Sequence, residues 1–218
     1  MEETKYDAVL VRLYWLSQRG DDGIVRPSLR TRFADRAAYL LYKNKIVKNL
    51  VLAAGSVWGS EYPSFAELAK KDLIIYGVPE QAIHVQATAA STLDETKVLL
   101  DMAYTNHWTR LGDVSFRTHM HTIRHVNKGR DITPFIVEDV VEKYDDRQVI
   151  DLSRRLSRSI YELGFWLYEM QVLLALRMVG GDYERLTEMG RSRRVKKRHN
   201  TLLIPFPQIG LPMDKYNL

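Results

Sequence analysis

The sequence predicts an α/β fold: a mostly parallel sheet flanked by helices, with a C-terminal helical extension. Three observations carry that expectation. Short apolar runs alternate with segments of helical period through about residue 140. Hydrophobic residues make up 45% of the chain and charged residues 27%, so its 218 residues are enough to bury a substantial core. After residue 147 the alternation stops and a long apolar helical pattern replaces it.

The expected strands cover residues 8–13, 50–54, 83–86, 114–117 and 134–137. Between the first two, Phe33, Ala37, Leu40 and Leu41 fall at i, i+4, i+7 and i+8, one face of a helix. Phe65, Leu68, Ala69 and Leu73 repeat the pattern, and Val98, Leu99 and Met102 do so again. In the extension, Leu163, Leu167, Met170, Leu174 and Met178 form one stripe, and Tyr161, Phe165, Tyr168 and Val172 a second. A helix apolar on two faces fits packing on the core and on another subunit, so a homo-oligomer through residues 160–178 is one expectation. Gly180-Gly181 ends that helix. The expected division is a sheet domain over residues 1–147 and an extension over 148–218, with no internal repeat.

Composition excludes several chemistries. The chain has no cysteine, which removes disulfides, thiolate catalysis and cysteine zinc sites. No basic segment with a long apolar stretch precedes the first strand, and the apolar stretch 164–180 is interrupted by Glu169, Gln171 and Arg177. A cytoplasmic protein without a membrane span is therefore expected. Residues 1–150 carry 20 basic and 20 acidic side chains, whereas residues 151–218 carry 12 basic and 7 acidic. The whole net charge of +5 thus belongs to the C-terminal region.

In a parallel sheet, ligands sit beyond the carboxyl ends of the strands, so the candidate residues are sought there. Gly55 and Ser56 follow the second strand and read either as an anion cradle or as an ordinary turn. Ser64-x-x-Glu67 forms a capping box, although Glu67 also suits a base or a ligand contact. Thr92-x-x-Glu95 reads as a second box, with Asp94 and Glu95 complementing the helix dipole or binding a cation. His121 and Arg124 stand three apart and share a helix face, a proton-exchanging ring beside a permanent cation. His121 and His125 have i, i+4 spacing, but Thr122 stands where a zinc-protease motif needs Glu, so no metal site is expected.

The order of these segments resembles the ElyC/SanA/YdcF family. The likeness runs from Asp7-Ala8-Val9 through an Arg-bearing helix ending Leu41-Tyr42-Lys43 to Ala54-Gly55-Ser56. It continues with Glu67, Gly77-Val78-Pro79, Ile83, Ser91-Thr92-x-Asp94-Glu95 and His121-x-x-Arg124, covering roughly residues 5–140. The resemblance implies a Rossmann-like domain of poorly defined activity that binds a phosphorylated, nucleotide-like or S-adenosylmethionine-like molecule. It assigns His121, Glu67 and Asp94 to catalysis. Arg32, Gly55, Ser56, Thr92, Glu95 and Arg124 would hold the ligand. The chain departs from the family where Arg12-Leu13-Tyr14-Trp15 replaces glycines after the first strand, where Ser56 replaces a glycine, and where Thr96 replaces an asparagine.

Two other readings stand beside that one. The basic run Arg191, Arg193, Arg194, Lys196, Lys197 and Arg198 suits nucleic acid or another acidic partner, though a solvated tail explains it more simply. A non-catalytic oligomeric role, through the two-faced helix, is the other.

Overall fold

A computed structural model describes residues 5–13, 18–19, 25–55, 63–89, 91–145, 147–157, 160–178, 180–182 and 185. The first strand, β1 (Tyr6–Val11), is buried from Ala8 onward, as expected of a central parallel strand apolar on both faces. A two-residue ribbon follows, β2 (Gln18–Arg19) against β3 (Val25–Arg26), which the apolar pattern did not foretell. Helix α1 (Leu29–Lys43) then starts at Ser28, whose hydroxyl accepts the Thr31 N–H. It leads to β4 (Val47–Ala54).

Helix α2 (Phe65–Ile75) opens with the expected capping box, Ser64 and Glu67 each accepting the other's backbone N–H. Strand β5 (Ile83–Ala89), helix α3 (Thr92–Asn106) and strand β6 (Leu111–Ser115) follow. After a 3-10 turn over Arg117–His119 come helix α4 (Met120–Val126) and strand β7 (Ile132–Ile136). Helices α5 (Val137–Tyr144), α6 (Arg147–Ser157) and α7 (Ile160–Met178) complete the described elements.

The five long strands are all parallel, in the order β5-β4-β1-β6-β7. This is a Rossmann-like α/β fold. Counted by position, the strands run 3-2-1-4-5, and the direction of travel reverses between β1 and β6. Helices α1, α2, α5 and α6 cover one face, around Val9, Phe33, Leu52 and Phe65. Helix α3 packs on the other against Ala8, Leu10 and Val51, with α4 and α7 alongside. Gly112 lets β6 fit between its neighbours: a methyl there would lie 2.7 Å from Phe135 Cε2 and 2.9 Å from Val9 Cγ2.

The described part of the extension is joined to this core. Val149 and Leu152 of α6 are buried with the α1 side, and α7 packs on α4 and the turn before it. The chain leaves α7 through Gly180 and Gly181, whose φ values of +70° and +82° favour glycine. The stripe Leu163, Leu167, Met170, Leu174 and Met178 is exposed. Tyr168 of the second stripe is exposed too, and the side chains of Tyr161 and Phe165 lie outside the described set. Among the described residues, no helix is long and apolar enough to cross a membrane.

One polar group is buried between α1 and α2. Asp35 is 0% exposed, and neither of its carboxylate oxygens has a hydrogen-bond partner; nor do Asp72 Oδ2 and the Tyr76 hydroxyl. Burial, then the charge of Asp72, push the Asp35 carboxyl well above the usual range, against the pull of Arg32. Burial likewise raises Asp72 and Tyr76.

Candidate functional site

The reversal between β1 and β6 sets the position of the site, because the helices on either side diverge there. Arg12 directly follows β1. Its backbone N–H extends the ladder to Val114 O at 3.0 Å, and its side chain turns to the α3 face. The guanidinium is 2% exposed. Nε reaches both oxygens of Asp113 at 3.0 and 3.1 Å, and Nη2 reaches Asp113 Oδ2 at 2.6 Å. Nη1 donates to Thr92 O at 2.6 Å and to Glu95 Oε2 at 3.0 Å, while Nη2 also donates to Thr96 Oγ1 at 2.6 Å.

Asn127 closes this knot, donating to Asp113 Oδ2 at 3.1 Å and accepting from Thr96 Oγ1 at 3.2 Å. Burial works against the guanidinium's charge, but Asp113 and Glu95 more than offset it and raise the Arg12 pKa. Burial pushes Glu95 up despite the attraction of Arg12. Two carboxylates thus face one guanidinium, and the knot fastens β1, β6, α3 and the end of α4 together.

A second group lies beside it. His119 ends the 3-10 turn after β6, and its Nδ1 is 2.6 Å from Glu169 Oε1 of α7. Thr122 donates to the other oxygen of Glu169. A carboxylate only accepts, so Nδ1 is the donor of this pair, and a neutral ring would leave Nε2 as an acceptor. That nitrogen faces Thr92 Oγ1 at 3.4 Å. Glu169 is 5% exposed, and Thr92 and His119 are half-buried. The helical extension therefore contributes a side chain to the strand-end site.

The structure brings together two of the residues expected from sequence, Thr92 and Glu95, in contact with Arg12 and His119. Asp94 lies half-buried in the same first turn, its N–H bound to Ser91 Oγ at 3.1 Å. The cap of α3 is thus Ser91, one residue before the expected Thr92, and Glu95 turns to Arg12 instead of closing a box. Gly55 stands at the end of β4, where a methyl would press on Ala87 O at 3.1 Å and Ala89 O at 3.2 Å. That close approach of β4 to β5 accounts for the glycine by itself. Ser56 lies outside the described residues.

Other expected residues stand elsewhere. Glu67 is exposed in its capping box, where the Ser64 backbone N–H and hydroxyl lower its pKa. The charge of Arg32 acts on Asp35 and Asp72 between α1 and α2. His121 and Arg124 are exposed on α4. Among the described residues, no group of three or more His, Asp or Glu side chains is placed to hold a metal ion.

The residues that sequence reasoning missed are Arg12, Asp113, Asn127, His119, Thr122 and Glu169. Two faint signals pointed to them. Arg12 is a charged residue directly after an apolar strand, and Glu169 is the sole carboxylate between Gly164 and Gly180. Comparison with known proteins returns no match to this chain among family models, curated proteins or solved structures.

Proposed function

We propose that the chain is a small-molecule-binding enzyme whose ligand lies across the carboxyl ends of β1, β5 and β6 and exchanges a proton with His119. The observation that carries this reading is the fixed imidazole. Glu169 holds Nδ1, and Nε2 turns to Thr92 at the N-terminus of α3, beside the strand reversal. A ring with one nitrogen anchored and the other facing a half-buried hydroxyl suits general acid–base work. The resemblance to the ElyC/SanA/YdcF family supports a phosphorylated, nucleotide-like or S-adenosylmethionine-like ligand. His119 replaces His121 as the proton-exchanging group in this reading, because His121 is exposed on α4.

The test is a melting-point screen of the full chain with S-adenosylmethionine, nucleotides, nucleotide sugars, polyprenyl-phosphate mimics and divalent metals. A ligand at about 100 times its dissociation constant adds about 2.7 kcal/mol of stability, seen as a raised melting point. The expected result is a shift lost in His119→Ala and kept in His121→Ala. The reverse pattern moves the site to the exposed face of α4. A panel without any shift removes these ligand classes and favours an oligomeric role through α7, whose exposed Leu163, Leu167, Leu174 and Met178 suit a second copy. A monomeric mass in solution would dispose of that second reading.

A further inference from the structure

Glu169, His119 and Thr92 lie in a line that ends on a hydroxyl. Glu169 Oε1 is 2.6 Å from Nδ1, and Nε2 is 3.4 Å from Thr92 Oγ1. Exposure increases along the line, from a buried carboxylate to a half-buried ring and hydroxyl. That is the order a proton relay needs, with the orienting carboxylate shielded and the hydroxyl within reach of a substrate. Thr92 also opens α3, where helix geometry leaves the N–H groups of Thr92 and Leu93 without intrahelical acceptors.

Resting on the ligand site proposed above, we propose that Thr92 is a nucleophile activated by His119 and oriented by Glu169, and that its substrate is a carboxylic ester. The charges nearby choose between an ester and a phosphate. Among the described residues, the carboxylates of Glu95, Asp113 and Glu169 gather around this end of α3, and the Arg12 guanidinium there is already engaged by two of them. A phosphoryl group reacting at Thr92 would meet those carboxylates, whereas an uncharged carbonyl would not, so any phosphate of the ligand proposed above lies away from this end of α3. The one oxyanion that forms in the reaction falls to the N-terminal N–H groups of α3.

In the first half-reaction Thr92 Oγ1 bonds to the carbonyl carbon as its proton passes to His119 Nε2, and the carbonyl π pair moves onto oxygen. Re-forming the carbonyl breaks the bond to the alcohol oxygen, which leaves with the proton from Nε2. Water then gives a proton to Nε2 and bonds to the same carbon, and Thr92 Oγ1 departs and recovers that proton. Ester and water become acid and alcohol, with no oxidant or reductant required.

The experiment treats the full chain with a fluorophosphonate, maps the adduct by mass spectrometry, and follows turnover of p-nitrophenyl acetate and p-nitrophenyl phosphate. The expected result is one adduct on Thr92, kept in Thr92→Ser and absent from Thr92→Val. His119→Ala should slow labelling roughly 10²- to 10⁴-fold. Glu169→Gln should slow it as well, with partial rescue by Glu169→Asp, and melting curves check that each variant folds. Acetate should be hydrolysed and phosphate left intact. A folded wild-type chain without an adduct on Thr92, or acetate turnover unchanged in Thr92→Val, overturns the nucleophile, and preference for the phosphate overturns the ester. A wild-type ligand shift without an adduct sinks the nucleophile alone. An adduct without any ligand shift sinks only the ligand class proposed earlier.

Discussion

Two clusters of charge are buried on opposite faces of the same sheet, and they are built in opposite ways. Around Arg12 every guanidinium nitrogen has an acceptor, drawn from β6 and α3, and Asn127 satisfies the carboxylate behind it. Around Asp35 both carboxylate oxygens lack a hydrogen-bond partner, although the residue is equally buried. In the first cluster opposite charge holds Arg12 in its charged form, although burial still raises Glu95; the second is driven toward the neutral acid. The difference lies in what converges. At the strand reversal several segments meet and each supplies a complementary group, whereas between α1 and α2 carboxylates meet each other. A fully hydrogen-bonded guanidinium results at the candidate site, and a carboxyl without hydrogen-bond partners results away from it.

Arg12→Met should show the largest effect. It leaves Asp113 and Glu95 buried without their guanidinium, and breaking a buried pair from one side costs about 3–5 kcal/mol. Urea denaturation reads this directly. A loss under about 1 kcal/mol would put the knot on the footing of a surface ion pair and end the contrast.

Asp35→Asn addresses the second cluster, and its effect is a slope in pH. The Asp35 carboxyl is raised in the folded state, so its contribution is full below the ordinary Asp value of 3.8 and lost as pH rises through the folded value. Wild-type stability relative to the variant should therefore fall with rising pH above the ordinary value, by up to about 1.4 kcal/mol per pH unit. Asp72 is present in both proteins, and its own raised carboxyl largely cancels from the difference. Paired urea curves across that range measure it. A difference flat in pH would mean that Asp35 stays ionised in the fold, and that a partner meets it there.

The parts that were legible in the sequence are those with local causes. Central parallel strands are apolar on both faces, so Ala8–Val11 and Leu50–Ala54 announce themselves. Strand β6 was expected three residues late because Gly112 and Asp113 are buried without being apolar: one admits Phe135, the other answers Arg12. The Ser64–Glu67 box closes within four residues and was readable, whereas Ser91 displaced Thr92 as a cap because Arg12, distant in sequence, draws Glu95 away. His121 and Arg124 do share helix α4, as their spacing expects, but both are exposed there. The 3-10 turn before that helix sets His119 against Glu169. Glu169 meets His119 across 50 positions, a contact that no periodicity reports.

The smallest effect tests whether the Arg12 knot is divisible. Glu95 contributes one contact to Arg12, at 3.0 Å, while Asp113 engages Nε and Nη2 and the acceptors Thr92 O and Thr96 Oγ1 take the rest. Burial raises the Glu95 carboxyl in spite of Arg12, so desolvation of this second carboxylate, with the charge of Asp113, outweighs its attraction to the guanidinium. Glu95→Gln should therefore change stability by less than about 1 kcal/mol near neutral pH. The sign of its pH dependence follows from the raised carboxyl, whose contribution is full below the ordinary value of 4.5 and declines as pH rises through the folded value. The variant should accordingly gain on the wild type as pH rises above that ordinary value. A loss as large as that of Arg12→Met would show that both carboxylates are needed together. The surplus negative charge beside Thr92 would then be structural, leaving substrate selection to other groups at the strand ends.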